Sequence, residues 1–175
     1  MKTTEGWKKE LQSFVDQVVH EIYHRPQQER NMLMILEIIG NKQREINEDI
    51  FPSQGCYYIK LAQIMDHLIQ QIILEQQKDK QAWFCQFWNG FDEISGQEFS
   101  LDHVVIQQSE KELNIKKYVF EGVEEQLQQF HMMVIQSTKH MFQRIPDVIE
   151  TIVLSTGKRH IFWPKEHSSN GEAFS

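Results

Sequence analysis

The chain has 175 residues, 40% of them hydrophobic, and its formal net charge at pH 7 is −7. This length is sufficient for one hydrophobic core without disulfide or metal support. The negative charge argues against a general affinity for nucleic acid or for anionic membranes, because both require clustered Lys and Arg.

The cysteines and the apolar segments indicate in which cellular compartment the protein is expected. The chain contains only Cys56 and Cys85, and no apolar run approaches the roughly 18 residues of a membrane span. The first residues show no apolar leader, so we expect a cytoplasmic protein with reduced thiols, the nucleus being the alternative. We also expect a single globular domain over residues 1–163 and a flexible polar tail over residues 164–175.

The first two predicted elements are helices. Apolar residues recur at helical spacing up to Pro26, which blocks continuation, and this predicts a first helix over residues 6–25. The segment "NMLMILEIIGNKQ" is apolar nearly all round and ends at a Gly-Asn pair. It predicts a buried helix over residues 27–40, with a strand over residues 32–40 as the alternative.

The central part of the chain changes its pattern twice. "YYIKLAQIMDHLIQQIILEQQ" carries a helical apolar stripe and predicts a third helix over residues 57–77. The next segment is rich in aromatic and β-branched residues and predicts two strands within residues 82–107. Helical spacing returns at Ile115 and predicts the longest helix, over residues 115–143.

The last ordered segment completes the predicted fold. Thr156-Gly157 lies between two apolar runs and predicts a hairpin within residues 150–163, although a short helix from Pro146 to Leu154 is an alternative. These elements predict an α+β fold that is predominantly α-helical, with about four main helices packed with a small antiparallel sheet or hairpins.

One short motif raises the possibility of a metal site. "HEIYH" matches H-E-x-x-H, in which two histidines one helical turn apart bind zinc and the glutamate accepts a proton from the metal-bound water. His20 and His24 would be ligands and Glu21 the general base. Glu45, 21 residues after His24, is the candidate third ligand.

The direction of these histidines argues against that zinc site. The apolar stripe of the first helix centres near Val18 and Ile22, and His20 and His24 project roughly 170° to 210° away from this centre. They therefore lie on the polar face, whereas a catalytic zinc needs a dry cavity and fixed imidazoles. We expect no catalytic residue, no metal and no cofactor here, and zinc remains the alternative.

The aromatic segment between Trp83 and Phe91 is the more informative feature. Five aromatic residues within nine exceed what one strand can bury on one face, and exposed aromatics are typical anchors for protein partners. Trp83, Trp88 and Phe91 are the predicted partner-binding residues. Cys85, in the same segment, is expected to be a buried and unreactive thiol.

Two classes of function follow from these features. The first is a non-enzymatic protein-binding protein, such as an adaptor, a regulator or a complex subunit, with protein partners but no nucleic acid or membrane. The alternative is a small zinc-dependent hydrolase that uses His20, Glu21 and His24. The sequence leaves the oligomeric state open.

Overall fold

The computed structural model of the protein describes residues 5–76 and 81–165. About 51% of it is helical and 26% is strand. The helices are α1 (Gly6–His24), α2 (Met32–Gln43), α3 (Gln54–Gln76) and α4 (Glu124–Phe142). The strands are β1 (Ala82–Asp92), β2 (Gln97–Gln108), β3 (Leu113–Val119), β4 (Val148–Val153) and β5 (Lys158–Phe162).

The first three helices lie close to their predicted positions. α1 buries its apolar stripe and ends before Pro26, as the spacing indicates. α2 begins later than predicted, because a short 3₁₀ turn occupies Gln27–Glu29 and the side chain of Asn31 then accepts a hydrogen bond from the Met34 N–H. This contact is an ordinary N-cap. Residues 32–40 are therefore helical, and the strand alternative for them is wrong.

The predicted fold class is wrong. The strands form one five-stranded mixed sheet in the order β1-β2-β3-β4-β5, so the protein is α+β with a substantial sheet and is not predominantly helical. β1, β2 and β3 form an antiparallel meander. α4 then connects β3 to β4, and such a crossover helix joins parallel strands.

Hydrogen bonds show the parallel arrangement of β3 and β4. The Asp147 N–H donates to the Leu113 carbonyl at 2.7 Å, and the Leu154 N–H donates to the Val119 carbonyl at 2.8 Å. Both residue numbers rise together along the pair, as they do in a parallel ladder. The sheet is therefore mixed, whereas we had predicted an antiparallel one.

The residue pattern of β3 explains why the helix content predicted from the sequence is too high. Its residues Leu113, Ile115, Lys116 and Tyr118 are buried and lie on both faces of the strand. A strand that is covered on both faces lacks the alternation of polar and apolar residues that identifies a half-buried strand. In the sequence, the apolar residues of β3 run on into the helical apolar stripe of α4. The pattern therefore predicts one helix over residues 115–143, whereas α4 begins only at Glu124.

The described residues fall into two compact units. One contains residues 5–76, 118–121 and 152–158, and the other contains residues 81–117, 122–151 and 159–165. In the first unit, α1 packs against α2 and α2 against α3. The single domain predicted over residues 1–163 stays a prediction.

The second unit, which holds the candidate site, has its own core. α4 packs against β1 and β2. A hydrophobic core cluster in this unit contains the buried residues Cys85, Leu101, Val104, Ile106, Leu113, Ile115, Val134 and Ile149. Trp88 and Phe130 pack against this core while remaining partly accessible.

Two further expectations concern the ends and the apolar segments. Among residues 5–76 and 81–165, no helix is both long enough and apolar enough to cross a membrane. Residues 166–175, most of the predicted flexible tail, lie outside the described residues.

Candidate functional site

The aromatic residues of β1 differ sharply in their exposure. Phe87 is 64% exposed, Phe91 is 55% exposed and Trp83 is 41% exposed. Phe84 and Trp88 are half-buried. Three large aromatic side chains of one strand therefore lie in contact with solvent, more than scattered surface apolar residues would require.

An aromatic platform lies over Gly90. The ring centroids of Trp88 and Phe99 are 5.6 Å apart, and Phe99 also contacts the ring of His140 at 4.5 Å. A Cβ atom at Gly90 would lie 2.7 Å from both Trp88 and Phe99, which is closer than van der Waals contact permits. Glycine is thus required here for space, because the two rings occupy the position that any side chain would take.

A groove runs beside this platform. It has a volume of about 740 Å³ and is formed by β1, β2 and α4. Its lining residues are Phe87, Asn89, Gly90, Phe91, Glu98, Phe99, Ser100, Met133 and Gln136. Three phenylalanines and a methionine supply apolar surface, while the amide and hydroxyl side chains supply hydrogen-bonding groups, a composition typical of ligand and peptide sites.

β1 is also an edge strand. It is 11 residues long, and its one hydrogen-bonded neighbour among the described strands is β2. Natural proteins protect long edge strands with lysine, proline or very short strands, because an edge presents backbone N–H and C=O groups to any chain that approaches. From Phe87 to Phe91, β1 contains neither lysine nor proline, so this part of its outer edge lacks these protections.

Negative charge lies at the end of the hairpin formed by β1 and β2. Asp92 accepts a hydrogen bond from the Ser95 hydroxyl at 2.7 Å and one from the Ile94 N–H at 2.9 Å. These hydrogen bonds, that from Ser95 first, lower the pKa of Asp92 below its usual value. With Glu93 and Glu98, three carboxylates lie within this part of the hairpin.

The predicted partner-binding residues are separated by the structure. Phe91 lines the groove, whereas Trp83 is exposed on the same strand but does not line it. Trp88 packs against the core of the unit, and its ring contacts that of Phe99 over Gly90. Its position indicates support of the groove floor, and the partner-binding role of all three residues stays a prediction.

Sequence reasoning missed Phe87, Phe99 and Met133. Phe87 lies four residues before Phe91, so the two share one face of a regular strand, and this spacing was the available signal. Phe99 comes from the neighbouring strand and Met133 from α4. The pairing of Gly90 with Phe99 brings Phe99 to the site, and the packing of α4 on β1 and β2 brings Met133 there.

The alternative zinc site is not assembled by the described residues. The rings of His20 and His24 are 5.9 Å apart on α1, and His24 is exposed. The side chain of Glu45 is also exposed and pairs with Lys42 at 3.3 Å. Within residues 5–76 and 81–165, no three His, Cys, Asp or Glu side chains are grouped so that they could hold a metal ion. Zinc binding stays an untested alternative.

Cys85 lies in the core behind the groove. It is buried, and burial, together with the nearby Asp102 carboxylate, raises the pKa of its thiol. A raised pKa lowers the population of the nucleophilic thiolate.

Comparison of the chain with protein-family models, with curated proteins and with solved structures finds no match. A fold by itself does not specify a function. The geometry of the groove and of the edge strand therefore carries the functional proposal.

Proposed function

We propose that this protein is a non-enzymatic interaction protein, an adaptor, regulator or complex subunit, that binds an extended segment of a protein partner along β1. The observation that carries the proposal is the pair of exposed phenylalanines, Phe87 and Phe91, on an edge strand beside a groove floored by Phe99. In this arrangement, the edge of β1 from Phe87 to Phe91 supplies backbone hydrogen bonds and the groove accepts side chains of the partner.

The exposed aromatic side chains are expected to contribute more to the binding of a partner than to the stability of the fold. A side chain that is mostly exposed contributes little burial to the folded state, because hydrophobic stabilisation scales with the area removed from water. Covering Phe87 or Phe91 with a partner would recover that stabilisation at the interface. Central aromatic anchors of this kind typically contribute about 2 kcal/mol or more each to association.

The chemistry of the partner follows from the groove. Apolar side chains at alternate positions of an extended segment would point to one side and enter the groove. Flanking Lys or Arg residues would lie near Asp92, Glu93 and Glu98, and the net charge of −7 favours a basic partner by long-range attraction. The preferred ligand is thus an extended, apolar segment with basic flanks.

The test compares partner capture by the wild-type protein and by a variant with Phe87→Ala and Phe91→Ala. Proteins captured by the wild type are identified by mass spectrometry, and the affinity of a purified partner is then measured by calorimetry. We expect the double variant to bind at least about 100-fold more weakly, since two anchors are removed. Equal affinity of both proteins would overturn the proposal.

Two further variants sharpen this test. Val123→Ala is the matched control, because Val123 is 59% exposed in the same unit but does not line the groove. It should leave the affinity unchanged. Trp83→Ala reports how far the partner extends along β1, because Trp83 lies on the strand outside the groove. A weaker affinity in this variant indicates a segment that follows the whole strand.

A further inference from the structure

The hairpin of β1 and β2 exchanges its two faces once along its length. On β1, Cys85 and Trp88 both pack in the core of their unit, and on β2 so do Leu101 and Val104. The two residues of each strand are three positions apart, whereas a regular strand sends every second side chain to the same face. A shift by one position moves all the following side chains to the opposite face. Each strand therefore changes its inward side between these residues.

The exchange of faces coincides with a backbone irregularity at His103. Pairing with β1 reaches Val104 on one side and resumes at Asp102, whereas His103 is not paired with Gln86, the residue opposite it. His103 has a φ of 50°, in the left-handed region that few non-glycine residues occupy. Among the residues that the structure describes, one other non-glycine residue has a positive φ, Gln143 at the end of α4, where this conformation is usual. Gln86 and His103 thus form a kink inside the hairpin.

Neighbouring side chains hold the kink. Nδ1 of His103 lies 3.0 Å from Oδ2 of Asp102. Lys117 Nζ donates to the backbone carbonyl of Asp102 at 3.1 Å and lies 3.5 Å from its carboxylate. A lysine on β3 therefore supplies a hydrogen bond at the point where the ladder between β1 and β2 is interrupted.

The kink decides which aromatic residues of the hairpin are exposed. Without it, the alternation along β1 would place Phe87 and Phe91 on the same face as Cys85, which lies in the core. Beyond the kink the faces are exchanged. Trp88 packs against the core and Phe99 is buried, whereas Phe87 and Phe91 are left exposed.

We propose that His103 is a positioning residue of the partner-binding surface. Its left-handed backbone turns the end of the hairpin, residues 87–102, so that Phe87 and Phe91 face outward. His103 does not line the groove, so it acts through the backbone and needs no contact with the partner. The binding part of this inference rests on the proposed function, whereas the exchange of faces does not.

The first test compares glycine and alanine at position 103. Glycine adopts the left-handed conformation without steric cost, whereas alanine is strained there. His103→Gly should therefore melt about 2–4 °C above His103→Ala. Gln108, exposed at the end of β2, is the matched control. There the order should reverse, because glycine weakens a regular strand. An alanine variant at position 103 that is at least as stable as the glycine variant would overturn the proposal.

Hydroxyl-radical footprinting, read by mass spectrometry on the full chain, tests the exchange of faces. His103→Val places a β-branched residue in the left-handed region, where such residues are genuine outliers. We expect slower oxidation of Phe87 and Phe91 in this variant and faster oxidation of Trp88, while His103→Gly keeps the wild-type pattern. A wild-type pattern in His103→Val would show that the faces do not depend on position 103. If His103→Val does not fold, the comparison of glycine with alanine still decides the role of the backbone.

Binding is measured by calorimetry with the purified partner that the wild type captures. His103→Val should raise the dissociation constant at least about tenfold, whereas His103→Gly should stay within about threefold of the wild type. An equal loss in both variants would show that the imidazole is required, and not the backbone conformation, and would contradict the positioning role. If the variant with Phe87→Ala and Phe91→Ala binds as the wild type does, the proposed function fails. The melting temperatures and the oxidation pattern then still decide whether His103 exchanges the faces of the hairpin.

Discussion

α1 and β1 both carry many apolar residues, yet they use them differently. In α1, every residue of the apolar stripe is buried, from Trp7 to Tyr23. In β1, the aromatic residues divide between the core side and solvent, and Phe87 is the most exposed of them. The comparison teaches that apolar density in a sequence does not identify the core. The face on which each residue lies decides whether it stabilises the fold or remains available for a partner.

The two elements differ because of their geometry. A helix with a narrow apolar stripe can bury all of it against one neighbouring layer. A strand sends successive side chains to opposite faces, and five aromatics in one strand exceed what one face accommodates. Phe87 and Phe91 therefore lie outside the core of the unit and line the groove, while Trp83 is exposed outside it.

The largest expected effect on stability comes from the core side of this comparison. Leu11 is fully buried in α1, so Leu11→Ala should lower the free energy of unfolding by about 3 kcal/mol, within the range for buried leucines. Phe87→Ala removes a larger side chain, but because Phe87 is mostly exposed it should change the free energy of unfolding by less than about 0.5 kcal/mol. Urea denaturation measures both, and similar losses in the two variants would remove the distinction between α1 and β1.

Substitution of Gly90 is expected to have the next largest effect on the free energy of unfolding. In Gly90→Ala the new Cβ clashes with Trp88 and Phe99 at 2.7 Å, and the strain should lower the free energy of unfolding by about 1–3 kcal/mol. Displacement of these rings should also weaken partner binding. Gly40→Ala is the matched control, because its Cβ meets nothing within 4 Å. It should be neutral or stabilising, and equal losses in both would contradict this role of Gly90.

Asp147 offers a smaller effect that depends on pH. Its carboxylate accepts hydrogen bonds from the Leu113 N–H at 2.8 Å and from Arg144 at 2.7 Å. Burial alone would raise its pKa, but the hydrogen bonds from Lys165 and Leu113 and the charges of Lys165 and Arg144 outweigh burial and lower it. Asp147→Asn removes the charge from this hydrogen-bond acceptor and should lower the free energy of unfolding by about 1 kcal/mol at pH 7, the typical contribution of one hydrogen bond.

The sign of the pH dependence is fixed by that lowered pKa. The folded protein favours the ionised carboxylate, so its stabilising contribution is complete above the unfolded pKa of about 4. It is lost as the pH falls through the lower folded pKa. The difference between wild type and Asp147→Asn should shrink below about pH 4. A difference that is constant between pH 3 and pH 7 would show that Asp147 acts through packing alone.

The smallest expected effect concerns the polar face of α1. His20→Gln and His24→Gln together should change the free energy of unfolding by less than about 0.5 kcal/mol, as surface substitutions usually do. Metal analysis of untagged protein should find no bound zinc. Stoichiometric zinc that is lost in this double variant, together with a peptidase activity, would instead support the hydrolase alternative with Glu21 as its base.

The positions of the helices were largely predictable, because helical periodicity is a local property of the sequence. α1 and α3 match their predicted ranges closely. β3 was not predictable in this way, since Ile115 and Lys116 are both buried and the alternation of a half-buried strand is missing. Parallel pairing of β3 with β4 depends on contacts between residues far apart in the chain, which periodicity does not report.

The candidate site was predictable only as a segment. The excess of aromatics pointed to the region between Trp83 and Phe91, but it did not specify which of them are exposed. Phe99 became part of the site through the pairing of β1 with β2, and Met133 through α4. The groove is thus a product of tertiary contacts. The requirement for glycine at position 90 is a product of the same contacts.

The most direct test of the binding surface is hydrogen–deuterium exchange of the wild-type protein with and without a captured partner. Strand addition gives new hydrogen bonds to the amides of β1 and covers the groove. We therefore expect slower exchange within residues 87–92 and 97–100 and around Met133, with α1 unchanged. Slower exchange confined to other segments, such as α1 around His20 and His24, would contradict the account.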